Sequence, residues 1–283
     1  MGKKDMTSSY RIAQELFKDR LRKQSPETLE LLDDMHAADV IVVSGGYDHI
    51  EQVLESSETP FTLVQPEMLD KAKLRPDQVV FINCPGILNK KGLRKLESFV
   101  RSGGFLFTTD WALRNVIEPA FPGFLEYNDR PTLDEVVRIE ILDREDTILQ
   151  SVLDEQDDPQ WWLEGSSYPI KIRNFGHVRV LIQSKQLGER HGESPVFVSF
   201  DYGEGQVYHM ISHFYLQRSE TRTARHAAPS SEYLASKGIA AADMAKFKEM
   251  GSDEFPTSDV ESAYTSYAMI KAVMLKKKKR DKK

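Results

Sequence analysis

Apolar residues recur along this chain in two rhythms, and the switches between them mark its elements. Residues 8–35 carry a helical rhythm, with Ile12, Ala13, Leu16, Phe17 and Leu21 on one face. A second helix opens inside that stretch at SPETLELLDDM, with Ser25 as cap, Pro26 in the first position and Glu27 in the first turn. The rhythm then breaks. DVIVVSGGYDHIEQVLESS is a continuous apolar run, a glycine turn and a helix, as expected for a strand buried on both faces. FTLVQPEML supplies a second short strand, and DQVVFINCPG a third that ends in a Pro-Gly turn. In LNKKGLRKLESFVRSGG, Leu93, Leu96, Phe99 and Val100 form the buried stripe of a helix that Gly103 terminates. FLFTTD is the fourth strand.

Beyond Trp111 the pattern loosens. Residues 114–130 are rich in proline and aromatics and read as loop. DEVVRIEILD alternates as a strand, REDTILQSVLDEQ reads as a short helix, and DPQWWLEGSSYPIKI has little periodicity. VRVLIQSK is a strand, and SPVFVSFDYGEGQVYHMIS is a hairpin around Asp-Tyr-Gly-Glu-Gly. Residues 219–232 read as loop and ADMAKFKEM as a short helix. The last helix, SDVESAYTSYAMIKAVMLKKKK, has Ser258 or Asp259 as cap and an apolar face of Val260, Tyr264, Tyr267, Ile270, Val273 and Met274.

Alternating strands and helices predict an α/β three-layer sandwich with a mostly parallel sheet, flavodoxin-like in outline. The expected organisation is a helical lead-in over 1–36, an α/β domain over 37–218 and a helical extension over 219–283.

Composition narrows the setting. Hydrophobic residues make up 40% and charged residues 29% of the chain, values that permit an ordinary core. No apolar run is long enough to span a bilayer, and the first residues lack the apolar segment of a secretory signal. The single cysteine, Cys84, excludes a disulfide framework and a cysteine-rich zinc site. A cytoplasmic protein is the expectation. The net charge is −6, although the final KKKKRDKK carries seven positive charges. That tail reads as a solvated, frayed helix end whose cations complement the helix dipole. The acidic remainder would repel a polyanion, so nucleic acid is not an expected partner.

Candidate chemistry gathers at the strand ends. Cys84 closes the third strand, where it is either a small buried residue or a nucleophile in search of a base. Ser44, Gly45, Gly46 and Tyr47 follow the first strand; the glycines either make a turn or let backbone amides approach an anion. No complete phosphate-binding motif is present. His209 and His213 would stand about 13 Å apart on a strand, too far for one metal ion unless the strand breaks before His213. No metal and no cofactor is therefore expected. Asp110 ends the fourth strand, where it or Thr109 caps the next helix, or where it serves as a general base with His213. Trp111 and the pair Trp161–Trp162 either line a pocket or cover the core edge.

The order of these segments resembles the class I glutamine amidotransferase-like superfamily, which includes a trehalose-utilisation-like branch and branches without catalytic residues. DVIVVSGG is similar to its first strand and loop, and DQVVFINCPGILN to the strand and turn of its oxyanion side. LRKLESFVRSGG with FLFTTDWAL is similar to its helix, Gly-Gly turn and nucleophile corner, and GEGQVYHMISHF to its late histidine hairpin. The resemblance covers about residues 38–216, with an atypical section near 128–170. It departs where the superfamily's chemistry resides. Thr108-Thr109-Asp110-Trp111 replaces the G-x-C-x-G elbow, Cys84 belongs to the preceding strand, and Tyr215 stands where the acid after the histidine is expected. A glutaminase needs thiolate, base and orienting acid together.

The resemblance implies the fold and speaks against that activity. The leading expectation is a non-catalytic module that binds a small ligand or protein partner at the C-terminal sheet edge, through Ser44–Tyr47, Cys84, Gly86, Trp111 and the Asp110–His213 pair. The alternatives are a hydrolase using Asp110 and His213 as an acid–base pair on a carbohydrate-like substrate, and a subunit docking through its C-terminal extension.

Overall fold

Two helices, α1 (Met6–Gln24) and α2 (Pro26–Asp33), lead into the chain's α/β portion. The computed structural model describes residues 6–142, 160–214 and 223–282. The helix expected over REDTILQSVLDEQ, like Tyr215, lies outside them. Strands β1 (Val40–Val43), β2 (Thr62–Val64), β3 (Val79–Ile82) and β4 (Phe105–Thr109) follow, with α3 (Ile50–Ser56) and α4 (Lys90–Arg101) between them. Every residue of β1, β3 and β4 is buried, as a strand covered on both faces requires. In α4 the Asn89 side chain accepts the Gly92 amide at 2.8 Å, and Leu96, Phe99 and Val100 turn inward.

The remaining strands are β5 (Leu125–Tyr127), β6 (Glu135–Arg138), β7 (Glu140–Ile141), β8 (Gln160–Leu163), β9 (Ile170–Ile172), β10 (Val178–Gln183), β11 (Pro195–Tyr202) and β12 (Gly205–Met210). Eight strands build the main sheet in the order β2-β1-β3-β4-β12-β11-β10-β7. The five from β2 to β12 are mutually parallel, whereas β11, β10 and β7 join antiparallel. The switch follows from the β11–β12 hairpin: a tight turn at Gly203-Glu204 delivers β12 alongside β4 in the parallel sense.

Both faces of this mostly parallel sheet are covered. Alternation along the strands puts Phe105, Phe107, Phe197 and Tyr208 on one face, where their rings stack or tilt against one another. Over them lies the long C-terminal helix α10 (Thr257–Asp281), with Lys276 above the Tyr208 ring. Phe200 and Tyr202 point the other way and receive Phe121 and Phe124. The helix α1 packs outside α10, with Phe17 edge-on to Tyr267 at 5.5 Å.

Several expectations need correction. The alternating run at 134–143 is two strands: β6 pairs with β8 in a separate ribbon and β7 joins the main sheet beside β10. The supposed loop 114–130 holds a π-type turn (Leu113–Ile117), α5 (Glu118–Ala120) and β5, which pairs with β9. Helix α6 (Lys185–His191) follows β10. The stretch read as loop after 219 contains α7 (Ala224–Ala227) and α8 (Ser230–Ser236), ahead of α9 (Met244–Glu249). Helix α10 starts at Thr257 after Pro256 with no side-chain cap, so neither Ser258 nor Asp259 serves as one.

The basic tail is not frayed: it stays helical to Asp281 and is anchored by its side chains, although residues 279–282 remain exposed. Lys278 reaches Asp39 at 2.8 Å, Arg280 donates to the Gly103 carbonyl and lies 4.6 Å above the Phe105 ring, and Lys277 pairs with Asp281. The tail docks where β1 and β4 begin because unspent carbonyls, Asp39 and an aromatic face are available there. Among the described residues, no helix is long and apolar enough to cross a membrane.

Candidate functional site

Parallel strands deliver their C-terminal ends to one edge, and order 2-1-3-4 places a topological switch between β1 and β3. Four chain segments meet there: 44–48 after β1, 83–86 after β3, Asp110 after β4 and 211–214 after β12.

Asp110 is the hub. Its backbone takes φ of +47°, a left-handed conformation that few non-glycine residues adopt. The turn aims its carboxylate into the protein, where only 3% of the residue remains exposed. Oδ1 accepts the Tyr168 amide at 2.9 Å and Oδ2 accepts the Ser167 hydroxyl at 3.3 Å. The Cys84 thiol donates to the same oxygen at 3.9 Å, and His213 Nε2 lies 3.3 Å from it. Neither Asp110 nor Thr109 caps the following helix with its side chain: the turn at 113 has no side-chain cap, and Thr109 Oγ1 accepts the Cys84 amide at 3.2 Å.

His213 lies three residues past the end of β12. Its Nδ1 donates to Glu164, which follows β8, so one imidazole sits between two carboxylates. Burial by itself would lower its pKa; hydrogen bonding with Asp110, Cys84 and Glu164, and the charge of Asp48, lift it well above the usual imidazole range. Burial raises Asp110, opposed by His213, Tyr168 and Ser167. Burial also pushes the Cys84 thiol up to about 11 despite His213. Glu164 is the outlet of the cluster, its side chain 37% exposed. The loop holding His213 is fastened from outside: Asp48 accepts the Phe214 amide at 3.3 Å, and the Tyr10 hydroxyl of α1 donates to the Phe214 carbonyl at 2.5 Å.

The first loop has a different task from the one its glycines suggest. The amides of Gly46 and Tyr47 both donate to the Cys84 carbonyl, at 3.0 and 3.1 Å, and so do not face an anion. Gly45 is needed for close approach: a Cβ there would lie 2.2 Å from that carbonyl oxygen. At Gly86, with φ of +67°, a Cβ would lie 2.9 Å from Ala112 Cβ and 3.0 Å from Val116 Cγ2. Ser44 is turned away toward Gln65, at 2.9 Å. Tyr47 is 57% exposed and meets Trp111 edge-on at 5.2 Å. Trp111 stacks on Tyr168, and Tyr168 on Tyr127 at 3.8 Å. Four aromatic rings therefore form a continuous array beside Asp110.

Asp110, His213, Cys84, Tyr47 and Trp111 come together, with Gly45, Gly46 and Gly86 as backbone supports; Ser44 stands apart. His209 is wholly buried, hydrogen-bonded to Thr108 at 2.8 Å and pushed down to about 3 by burial, so it stays neutral within the sheet. Trp161 is core and packs on Phe214, whereas Trp162 donates to Asp134 at 2.8 Å. Glu164, Asp48, Ser167 and Tyr168 escaped sequence reasoning. A carboxylate two residues after an aromatic pair was the one available signal for Glu164. A cleft of about 510 Å³ lined by Lys73, Pro76, Lys95 and Ser102 opens where β3 and β4 begin, at the opposite end of the strands.

No family model and no curated relative matches the sequence. Solved structures with some likeness include Gan42B, a GH42 β-galactosidase from G. stearothermophilus, at 14% identity over 64% of this chain and 28% of that one, with a TM-score of 0.41. An exo-β-1,4-mannosidase from Opitutaceae bacterium strain TAV5 gives 12% identity over 84% of this chain and 38% of that one, with a TM-score of 0.44. A glutamine amidotransferase from Thermotoga maritima gives 9% identity over 86% of this chain and 99% of that one, with a TM-score of 0.48. The chain spans less than two-fifths of the length of these two glycosidases. At such identities and TM-scores the likenesses carry no functional inference.

Proposed function

We propose that this protein is an α/β module of amidotransferase-like architecture that binds a small ligand at the C-terminal edge of its sheet and performs no glutaminase chemistry. One observation supports this reading above others: the aromatic array and the polar cluster share residues. Tyr168 gives its amide to Asp110 and its ring to Trp111, so a ligand stacked on Trp111 and Tyr47 would lie over the Asp110–His213–Glu164 cluster. The corner carboxylate is buried and hydrogen-bonded, and the thiol is held protonated, so neither is poised as a nucleophile. The test is a thermal-shift screen of small metabolites with aromatic or sugar rings, on wild type and Trp111→Leu. A ligand at a hundred times its Kd should stabilise wild type by about 2.7 kcal/mol and lose that effect in the variant. Turnover of any substrate that vanishes in Cys84→Ala would overturn the reading.

The second reading is a hydrolase, and the left-handed backbone of Asp110 favours it, because such strain gathers at active sites. In it, Glu164 holds the Nδ1 proton of His213, and His213 with Asp110 passes a proton to or from a substrate above them. Hydrolysis of nitrophenyl esters or glycosides that Asp110→Asn abolishes, with folding intact, would establish it. Turnover equal in wild type and Asp110→Asn would remove it.

A further inference from the structure

We propose that Cys84, Asp110 and His213 form a binding site for a divalent metal ion of the zinc class. The sequence directs attention to a His209–His213 pair, but the fold assembles a different trio from three strand ends. Cys84 Sγ, a carboxylate oxygen of Asp110 and a ring nitrogen of His213 all lie within 4.8 Å of one another, and all three residues are buried.

The spacing suits one ion. Ligands at bond lengths of about 2.0–2.3 Å in a tetrahedron stand roughly 3.3–3.6 Å apart. The Asp110–His213 edge is 3.3 Å and the Cys84–Asp110 edge 3.9 Å. The thiol sulfur therefore needs to close by about 0.4 Å toward Asp110, and the remaining Cys84–His213 edge, within 4.8 Å, by at most about 1.3 Å, to complete such a triangle. Thiolate, imidazole and carboxylate together suit zinc or cobalt, and not magnesium or calcium, which take oxygen ligands.

An independent feature points the same way. Glu164 receives the Nδ1 proton of His213, which directs Nε2 at Asp110 and Cys84. A carboxylate on the far nitrogen of a ligating histidine is the usual support of a zinc-bound imidazole, because it fixes the tautomer and ring orientation. Uptake of a dication displaces one proton from the thiol and one from Nε2, both released to water, and leaves the net charge of the trio unchanged. With three protein ligands the fourth tetrahedral position is open to a donor from outside. That last step rests on the ligand-binding reading; uptake of the metal does not.

The test is titration of the full-length, metal-stripped protein with Co²⁺ alone, followed by absorption spectroscopy. The expected result is one Co²⁺ per chain, with visible bands of a tetrahedral centre and a near-ultraviolet thiolate-to-cobalt band that Cys84→Ser abolishes. Failure to bind stoichiometrically, or a near-ultraviolet band unchanged in Cys84→Ser, would overturn the proposal. Should Cys84→Ser not fold, Glu164→Gln is decisive: its midpoint should rise roughly 10–100-fold, and an unchanged midpoint would equally overturn it. No organic ligand enters this experiment, so its failure leaves the ligand-binding reading standing.

Discussion

Asp110 Oδ2 stands 3.3 Å from His213 Nε2, which joins the end of β4 to the loop beyond β12. Both side chains are almost fully removed from water, so each is the other's main electrostatic support. Taking one partner away from a buried pair costs about 3–5 kcal/mol. Asp110→Asn and His213→Gln should each lower stability by that order in urea unfolding. The double variant should lose less than the sum, by about 0.5–3 kcal/mol. Strict additivity would mean the two residues are not coupled. Asp110→Ala should be worse than Asp110→Asn, because alanine tolerates the +47° backbone poorly whereas asparagine accepts it.

Gly45 and Gly46 should respond differently to the same change. Gly45→Ala puts a methyl 2.2 Å from the Cys84 carbonyl oxygen, so the backbone of one loop must move. A loss of about 2 kcal/mol or more is expected. Gly46→Ala meets nothing within 4 Å and should stay within about 0.5 kcal/mol of wild type. Chemical denaturation of the two variants makes the comparison, and equal losses would contradict it.

Lys271 gives the chain a pH signature. It is fully enclosed in α10, donates to Thr59, lies 5.3 Å from the Tyr267 ring and is repelled by Lys18; burial, the larger effect, pushes its pKa down to about 7. Unfolded, the ammonium titrates near 10.4. Between these values the unfolded chain holds the proton that the folded chain has lost, so stability rises with pH. The cost of burying this lysine is complete below about pH 7 and fades toward pH 10. Lys271→Met should therefore stabilise the protein at pH 6 by a few kcal/mol, with an advantage that shrinks as pH rises. Stability curves from pH 6 to pH 10 for both proteins check this, and a constant gap would refute it.

Removing residues 276–283 should destabilise the fold. The cut deletes the Lys278–Asp39 pair, the Arg280 bond to Gly103 and the cations above Phe105 and Tyr208. A loss of about 2 kcal/mol, or roughly 4–8 °C in Tm, is expected from calorimetry. An unchanged Tm would show that these contacts are idle.

Much of this was legible along the chain, for reasons particular residues make plain. VIVV, VVFI and FLFTT are continuous apolar runs bounded by turns, and a strand covered on both faces leaves that trace. The meeting of Asp110 with His213 followed from both residues lying just beyond the C-terminal ends of neighbouring strands of one sheet. Glu164 was not legible, because its position depends on the β6–β8 ribbon, whose adjacent Trp161 and Trp162 follow no simple period. The basic tail misled for another reason. A run of charges at a helix end reads as solvent-facing, yet Lys278 and Arg280 find Asp39, the Gly103 carbonyl and the Phe105 ring at the starts of β1 and β4.

The Tyr10 hydroxyl on the Phe214 carbonyl ties the cluster to a part of the chain that holds none of its members. A fragment spanning 37–218 would retain Asp48, Cys84, Asp110, Glu164 and His213, yet it would lose Tyr10, one of the two anchors of the histidine's loop. The segments that meet at the cluster come from far apart in sequence, so their meeting requires the whole circuit of the chain to close. The geometry at His213 thereby draws on α1 as well as on the sheet, and only the intact polypeptide carries both anchors of its loop.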